Sequence, residues 1–311
     1  MNIRFIIAIA VLIILVGAIV AYLGARPGED DERMQVVASF YPLAEFARQV
    51  GGEHAEVINL TPQGAEPHDF EPSPLDIIAV RQSDVFVYSG AGFEPWAERI
   101  LPDLEGVAVI NAGEGITLIG GDPEAQIEPG GEAPEGERFD PHYYLDPALA
   151  REVVQLIADN LSEVDPARKD DYGENATVYA QKLEGLDREF REGLADCAQM
   201  DIVTSHAAFA YLARRYGFGQ VPIAGLAEEE PSPAELVRIV EFVRENQIRY
   251  VFFEKLVSPR LAETVAREAG AKTLVLDPIE GLTREEQEAG KDYIALMREN
   301  LISLRLALEC V

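Results

Sequence analysis

The sequence predicts an α/β protein with two lobes of parallel sheet flanked by helices and joined by one long rigid helix. Strand and helix signals alternate from residue 34 onward with short connections, which is typical of parallel sheets. One amphipathic pattern of about 30 residues separates the two alternating halves and is longer than a single small domain requires. An apolar segment precedes both halves and predicts a transmembrane or signal segment.

The amino-terminal segment Phe5–Ala25 is an unbroken run of apolar and small residues. A helix of this length can cross a bilayer, and the run is longer than a typical signal-peptide core. Arg4 before it and the acidic residues after it place the amino terminus in the cytoplasm and the rest of the chain outside. We expect residues 1–33 to be an uncleaved membrane anchor with its linker, with cleavage after Gly24 or Ala25 as the alternative.

The chain is strongly acidic, with 55 acidic and 26 basic residues among 311 and a formal net charge of −29. Such a charge repels phosphate backbones, so nucleic acid is not expected as a partner. Solubility accounts for this charge, and a field that collects cations is the alternative.

The predicted N-terminal lobe covers residues 34–165. Its strands are expected at 34–39, 55–60, 84–89 and 107–110, and its helices at 42–50, 74–82, 94–104 and after residue 147. Between Ala112 and Arg138 the sequence consists largely of Gly, Pro and Glu. Because this composition cannot bury apolar surface, we expect a mobile surface loop there.

The long helix and a second lobe follow. From Pro166 to about Ala195 apolar residues recur at alternating threes and fours, which predicts a helix of about 30 residues within the spine, residues 166–197. Residues 198–311 form the predicted C-terminal lobe. Its strands are expected at 202–204, 220–224, 248–253 and 273–276, and its helices at 206–216, 233–246, 259–269 and 284–308.

The only two cysteines, Cys197 and Cys310, lie at the ends of predicted helices. In a cytosolic protein they would be buried thiols. Outside the membrane a disulfide is favoured, which would close a loop over the second half of the chain.

Three of the four histidines lie in loops that suit a ligand. His68 stands in a proline-flanked loop after a predicted strand, His142 stands before a helix, and His206 directly follows a strand. Asp277 also follows a strand, and the carboxyl ends of parallel strands are where ligands bind. Three imidazoles and one carboxylate suit Zn²⁺ better than Mg²⁺ or Ca²⁺. The predicted metal site between the lobes is therefore His68, His142, His206 and Asp277.

Each of these residues has a structural alternative. A histidine beside a strand end can cap a helix or satisfy a carbonyl, and Asp277-Pro278 can simply start a turn. His54, the fourth histidine, is expected to be a solvated surface residue.

Other chemistries are less well supported. Gly90-Ala-Gly92 lacks the third glycine of a dinucleotide loop, and no nucleophile elbow surrounds Ser205. Glu66, Asp69 and Glu71 beside His68 could act as a base for metal-bound water, so a membrane-anchored zinc hydrolase is the enzyme alternative.

From about Val36 to its end the sequence resembles the metal-specific solute-binding proteins of ABC importers, which deliver zinc or manganese to a membrane permease. Five motifs carry the resemblance: Ser39-Phe-Tyr-Pro-Leu43, Pro67-His-Asp-Phe-Glu-Pro-Ser-Pro74, Asp140-Pro-His-Tyr-Tyr-Leu-Asp-Pro147, Ser205-His-Ala-Ala-Phe-Ala-Tyr-Leu-Ala-Arg-Arg-Tyr-Gly217 and Leu276-Asp-Pro-Ile-Glu-Gly281.

The resemblance implies two lobes on a rigid helix and a metal in the cleft. Its ligands map onto His68, His142, His206 and Asp277. Because a catalytic zinc needs an open coordination position and four protein ligands leave none, we expect binding without catalysis. Manganese-type members carry a carboxylate in place of His206. The resemblance therefore implies zinc as the bound metal, with manganese as the alternative. It also implies an extracytoplasmic location, here tethered through residues 5–25.

The chain departs from the family pattern in three ways. Tyr144 replaces a usual tryptophan, the loop after Asn111 contains no histidine, and the lipid-bearing cysteine of many bacterial members is absent.

Overall fold

A computed structural model describes residues 33–120, 126–127, 139–226 and 231–311, and residues 34–311 form one compact unit. The predicted anchor Phe5–Ala25 and the centre of the predicted loop 112–138 lie outside these ranges. Within them, no helix combines the length and apolar character needed to cross a membrane.

Two parallel four-stranded sheets form the framework. The first has the strand order β2-β1-β3-β4, and the second has the order β10-β9-β7-β8. A two-stranded antiparallel pair, β5 with β6, is separate from both. The strands are β1 Met34–Ala38, β2 Ala55–Asn59, β3 Val85–Tyr88, β4 Ala108–Asn111, β5 Leu118–Ile119, β6 Gln126–Ile127, β7 Asp201–Thr204, β8 Gly219–Pro222, β9 Tyr250–Phe253 and β10 Lys272–Val275.

Helices connect the parallel strands, as the alternation in the sequence predicts. They are α1 Tyr41–Gly51, α2 Pro74–Gln82, α3 Pro95–Ile100, α4 Pro147–Val164, α5 Lys169–Gly193, α6 Ala210–Tyr216, α7 Pro233–Glu245, α8 Arg260–Ala269, α9 Arg284–Glu288 and α10 Tyr293–Ala307. Short 3-10 turns lie at 52–54, 67–69, 101–103, 142–145 and 166–168.

Each sheet buries both faces, because neighbouring residues of a strand point to opposite sides. In β1, Val36 packs in the largest apolar cluster and Val37 in a separate one. In β9, Phe252 packs in the largest cluster and Val251 in a third. The largest cluster therefore lies against one face of each sheet.

The long helix α5 contributes a stripe of buried residues to the largest cluster: Tyr172, Ala176, Tyr179, Leu183, Leu186 and Phe190. Aromatic contacts join the two halves of the chain beside this stripe. The rings of Phe46 and Tyr293 are 5.1 Å apart, and the Tyr293 hydroxyl donates to the Tyr144 carbonyl at 2.5 Å. The predicted long helix is thus present, with a 3-10 turn at Pro166–Arg168 before its 25 α-helical residues.

The structure differs from the predicted elements at two helices. The predicted closing helix 284–308 is two helices, because Gly290 takes a left-handed φ of 66° and the Asp292 side chain caps α10. The predicted helix 206–216 starts only at Ala210. The His206 carbonyl instead accepts hydrogen bonds from the side chains of Thr204 and Gln220.

The predicted loop 112–138 is also more structured at its start than its composition suggests. Ala112 and Ile116 are buried in the largest cluster, and β5 pairs with β6.

The predicted disulfide between Cys197 and Cys310 is confirmed. It joins the chain just after α5 to the chain just after α10, and the two cysteines also form a short antiparallel bridge.

Candidate metal centre

Four side chains converge on one point in the protein. Nitrogen atoms of His68, His142 and His206 and a carboxylate oxygen of Glu280 all lie within 4.8 Å of one another. His142, His206 and Glu280 are at most 1% exposed, whereas the His68 side chain is 12% exposed. Of these four residues, His68 is therefore the one that solvent reaches.

His68 is presented by the 3-10 turn Pro67–Asp69 in the long connection between β2 and α2. The Glu66 carboxylate accepts a hydrogen bond from the His68 backbone N–H at 3.3 Å and caps the turn. The imidazole packs edge-on against Phe93, with ring centroids 4.6 Å apart. A rigid turn and an apolar neighbour thus orient the exposed histidine.

His142 opens the 3-10 turn that leads into α4. One oxygen of Asp140, Oδ1, lies 2.8 Å from both the backbone nitrogen and Nδ1 of His142. If Nδ1 donates to this carboxylate, Nε2 is left as the acceptor that a metal needs. Asp140 therefore fixes both the ring orientation and the tautomer of His142.

His206 lies just beyond the carboxyl end of β7. Its Nδ1 is 2.7 Å from Oε1 of Glu254, which follows the neighbouring strand β9. The Ser205 hydroxyl donates to the same carboxylate oxygen. As with His142, a buried carboxylate orients the imidazole so that Nε2 faces the cluster.

Glu280 occupies the fourth position, where the sequence predicted Asp277. Asp277 lies outside the cluster: its Oδ2 pairs with Lys255 Nζ at 2.9 Å, and its Oδ1 accepts from the Ile279 N–H at 2.8 Å. Asp277 is predicted as a ligand because it follows the predicted strand 273–276, whereas β10 ends at Val275. The backbone then turns through Ile279, which has a φ of 58°, and Glu280 reaches the histidines instead.

The spacing of the donor atoms suits a single small ion. Glu280 Oε1 is 3.0 Å from His142 Nε2, 3.2 Å from His68 Nε2 and 3.9 Å from His206 Nε2. His142 Nε2 is also 3.3 Å from His68 Nε2 and 3.4 Å from His206 Nε2. Four ligands at zinc-bond lengths around a tetrahedral ion would be about 3.3 Å apart. The cluster is therefore close to the size that zinc requires.

The metal-free cluster is an ion-pair network. Burial lowers the pKa of His142, but Asp140 and then Glu280 outweigh it and raise the pKa to about 10. Burial likewise lowers the pKa of His206, and Glu254 then raises it above its ordinary value. Burial raises the pKa of Glu280, but the three surrounding histidines drive it well below its usual range. A proton on His142 thus compensates the neighbouring carboxylates at neutral pH, and a bound cation would take its place.

The structure brings the three predicted histidines together beside three carboxylates that the sequence analysis did not predict as site residues: Glu280, Asp140 and Glu254. Glu280 and Asp140 stand within motifs that already drew attention, three and two residues from a predicted ligand. Glu254 carries the strand-end signal used for His206, because it directly follows β9. His54, the remaining histidine, is 3.2 Å from Asp171 and takes no part in the cluster.

The buried histidine and carboxylate cluster at the strand ends of an α/β fold defines the class of protein as metal-binding. The profile of the ZnuA family, described as zinc-uptake complex component A, periplasmic, matches residues 36–307. The chain belongs to this family.

Two curated relatives illustrate the similarity. The chain is 41% identical over 279 residues to the zinc-binding lipoprotein AdcA of Streptococcus pneumoniae, covering 88% of this chain and 56% of AdcA. It is 37% identical over 278 residues to the high-affinity zinc uptake system protein ZnuA of Bacillus subtilis, covering 88% of this chain and 87% of that protein. The chain thus spans about half of AdcA and most of the Bacillus protein.

A solved structure supports the fold assignment. The Zn(II)-bound ZnuA-like domain of Streptococcus pneumoniae AdcA superposes with a TM-score of 0.76 at 40% identity, over 89% of this chain and 99% of that one.

Proposed function

We propose that the chain is an extracytoplasmic zinc-binding protein that captures Zn²⁺ with His68, His142, His206 and Glu280 and delivers it to the permease of an ABC importer. The observation that carries the proposal is the convergence of these four donors at zinc-like spacing. The family is described as a zinc-uptake component and the Bacillus relative as a zinc uptake protein, which supports the proposal.

The donor set favours zinc over manganese. Three imidazoles and one carboxylate form a nitrogen-rich site, whereas manganese prefers more oxygen ligands. Zinc also stands above manganese in the general affinity order of divalent ions, so zinc binds more tightly unless the geometry of the site favours manganese. Manganese is the less favoured alternative.

The closed donor set supports binding without catalysis. A catalytic zinc keeps one position open for water or substrate, and four protein ligands leave none in a tetrahedral site. Glu66, considered as a base from the sequence, caps the turn that presents His68. This arrangement favours a binding protein over the zinc hydrolase alternative.

The same proposal covers domain organisation and location. Residues 34–165 and 198–311 would be the two lobes, and α5 within residues 166–197 would be the rigid spine between them. Residues 5–25 would hold the protein on the outer face of the membrane. AdcA is a lipoprotein and the family is described as periplasmic, which supports this location.

The central test is metal analysis of full-length protein purified without added metal, followed by competition with a zinc chelator and with manganese. We expect bound zinc and far tighter binding of zinc than of manganese. His206→Ala and Glu280→Gln should each weaken zinc binding. His54→Ala is the matched control, because His54 pairs with Asp171 outside the cluster.

Two results would count against the proposal. Equal or tighter manganese binding would overturn the zinc assignment, and unaltered zinc affinity in both cluster variants would overturn the site. Transport is tested separately, by zinc uptake in cells with and without the gene in zinc-poor medium. Equal uptake would overturn the delivery role.

A further inference from the structure

We infer that Asp277 and Lys255 form a positioning pair for the metal site: they hold Ile279 in a left-handed conformation from which Glu280 reaches the three histidines. The inference rests on the proposed function, since it concerns the same site. It gives Asp277 a role that does not involve contact with the metal.

The backbone at Ile279 is disfavoured on its own. Its φ of 58° lies in the left-handed region, where the Cβ of an L-residue clashes with the backbone. A β-branched residue is a genuine outlier there, and such residues persist only where their surroundings hold them. Ile279 is fully buried and immediately precedes Glu280. The conformation of this one residue therefore sets the direction in which Glu280 points.

Asp277 supplies the restraint. Its Oδ1 accepts a hydrogen bond from the Ile279 backbone N–H at 2.8 Å. Its own backbone is fixed by Asn300, whose Oδ1 accepts from the Asp277 N–H at 2.8 Å and whose Nδ2 donates to the Asp277 carbonyl at 2.6 Å. Pro278 between Asp277 and Ile279 limits φ further. The turn is thus anchored to helix α10 by Asn300 and closed by the Asp277 carboxylate.

Lys255 balances the Asp277 carboxylate and connects it to the other half of the site. Its Nζ is 2.9 Å from Asp277 Oδ2 and also contacts Glu286. Asp277 is only 4% exposed, so without Lys255 its charge would be buried unpaired. Lys255 directly follows Glu254, which orients His206. The pair therefore ties the loop that supports His206 to the loop that carries Glu280.

A double-mutant cycle in zinc affinity tests the inference on the full-length protein. Asp277→Ala should weaken zinc binding about 10- to 100-fold, as is usual for outer partners of metal ligands. If Asp277 acts through Glu280, the same substitution in a Glu280→Gln background should cost little more. Asp277→Asn and Lys255→Met should cause smaller losses of zinc affinity, and these losses should also disappear in the Glu280→Gln background.

The controls separate positioning from general stability. Arg298→Met removes an exposed ion pair with Glu189 that does not involve Lys255, and it should leave zinc affinity unchanged. Asp277→Asn keeps an oxygen for the Ile279 N–H, so it carries the test if Asp277→Ala fails to fold. An Ile279→Gly background should shrink the cost of Asp277→Ala, because glycine adopts positive φ freely.

Three outcomes would overturn the inference. The first is an unchanged zinc affinity in Asp277→Ala. The second is an equal loss of zinc affinity on Asp277→Ala in the wild-type and Glu280→Gln backgrounds. The third is an equal loss of zinc affinity on Asp277→Ala in the wild-type and Ile279→Gly backgrounds. A loss far larger than that of Glu280→Gln and independent of it would make Asp277 itself a ligand. If the wild-type protein bound no zinc, the proposed function would fail before the cycle began, so the two failures are distinguishable.

Discussion

Zinc binding should release protons well above the ordinary pH range of histidine. The pKa of His142 in the metal-free protein is about 10, and that of His206 is also raised. Both rings must be unprotonated at Nε2 to bind a metal, so zinc has to displace these protons. At about pH 7.5 the cost of deprotonating His142 is ~3 kcal/mol, from about 1.4 kcal/mol per pKa unit. We therefore expect zinc affinity to rise about tenfold per pH unit for each proton displaced.

Titration calorimetry in buffers of different ionisation enthalpy measures this release. At about pH 7.5 we expect at least about one proton per zinc, because His142 is protonated there, and the raised pKa of His206 adds to the release. Asp140→Asn removes the carboxylate that does most to raise the pKa of His142, so it should reduce the number released. Chelator competition from about pH 6.5 to about pH 9 gives the matching affinity slope. Negligible proton release together with a flat affinity profile would refute the reasoning.

The same linkage fixes the sign of the effect on stability. The pKa of His142 is raised above its ordinary value of 6.5, so its ion pairs stabilise the metal-free protein fully below that pH. This stabilisation is lost as pH rises toward about 10. Zinc affinity rises with pH while this stabilisation falls. The increase in melting temperature caused by zinc should therefore grow with pH.

Three further predictions concern other parts of the molecule. His206→Glu should narrow the preference for zinc over manganese, measured by competitive titration, because it adds a second carboxylate; an unchanged ratio would contradict this. Replacing Cys197 and Cys310 by serine should lower the free energy of unfolding in urea by ~2–5 kcal/mol, because the disulfide closes a loop with a sequence separation of 113. Zinc affinity should persist in that variant, since Cys197 precedes the amino end of β7 and His206 follows its carboxyl end; a large loss of affinity would show coupling between them. Deleting residues 128–136 should change zinc affinity by less than about tenfold, or ~1.4 kcal/mol, and a larger loss would mean that a glutamate there binds metal.

Elements that depend on local sequence were predictable. Short apolar runs such as Val85–Tyr88 become central strands, and the 3–4 repeat from Tyr172 to Phe190 becomes the buried stripe of α5. Helix α2 begins at Pro74, as the sequence predicts, and Ser73 and Asp76 form a capping box there. These signals succeed because the residues that specify the element lie within it.

Elements that depend on distant contacts were not predictable. The residues after His206 follow an apolar strand and contain no helix breaker, so they are expected to be helical. The side chain of Gln220, fourteen positions further on, donates to the His206 carbonyl, and the helix starts later. The turn at Ile279 is held by Asp277 and Asn300, and no rule based on local propensity assigns a left-handed conformation to isoleucine.

The candidate site shows why imidazoles were easier to assign than carboxylates. The chain has 4 histidines, so each one in a suitable loop is informative, but it has 55 acidic residues that are chemically alike in sequence. Burial and contact with an imidazole together distinguish the acids of the site: Asp140, Glu254 and Glu280 are 1–3% exposed, and each lies beside an imidazole. Glu94 and Asp146 are also only 3% exposed, but they pair with Ser39 and Arg215 instead. Burying a carboxylate is costly unless a cation or proton compensates it, so these acids and the histidines depend on each other. A metal ion that replaces the protons at Nε2 would compensate Glu280 directly, while Asp140 and Glu254 would keep their contacts with the Nδ1 atoms of His142 and His206.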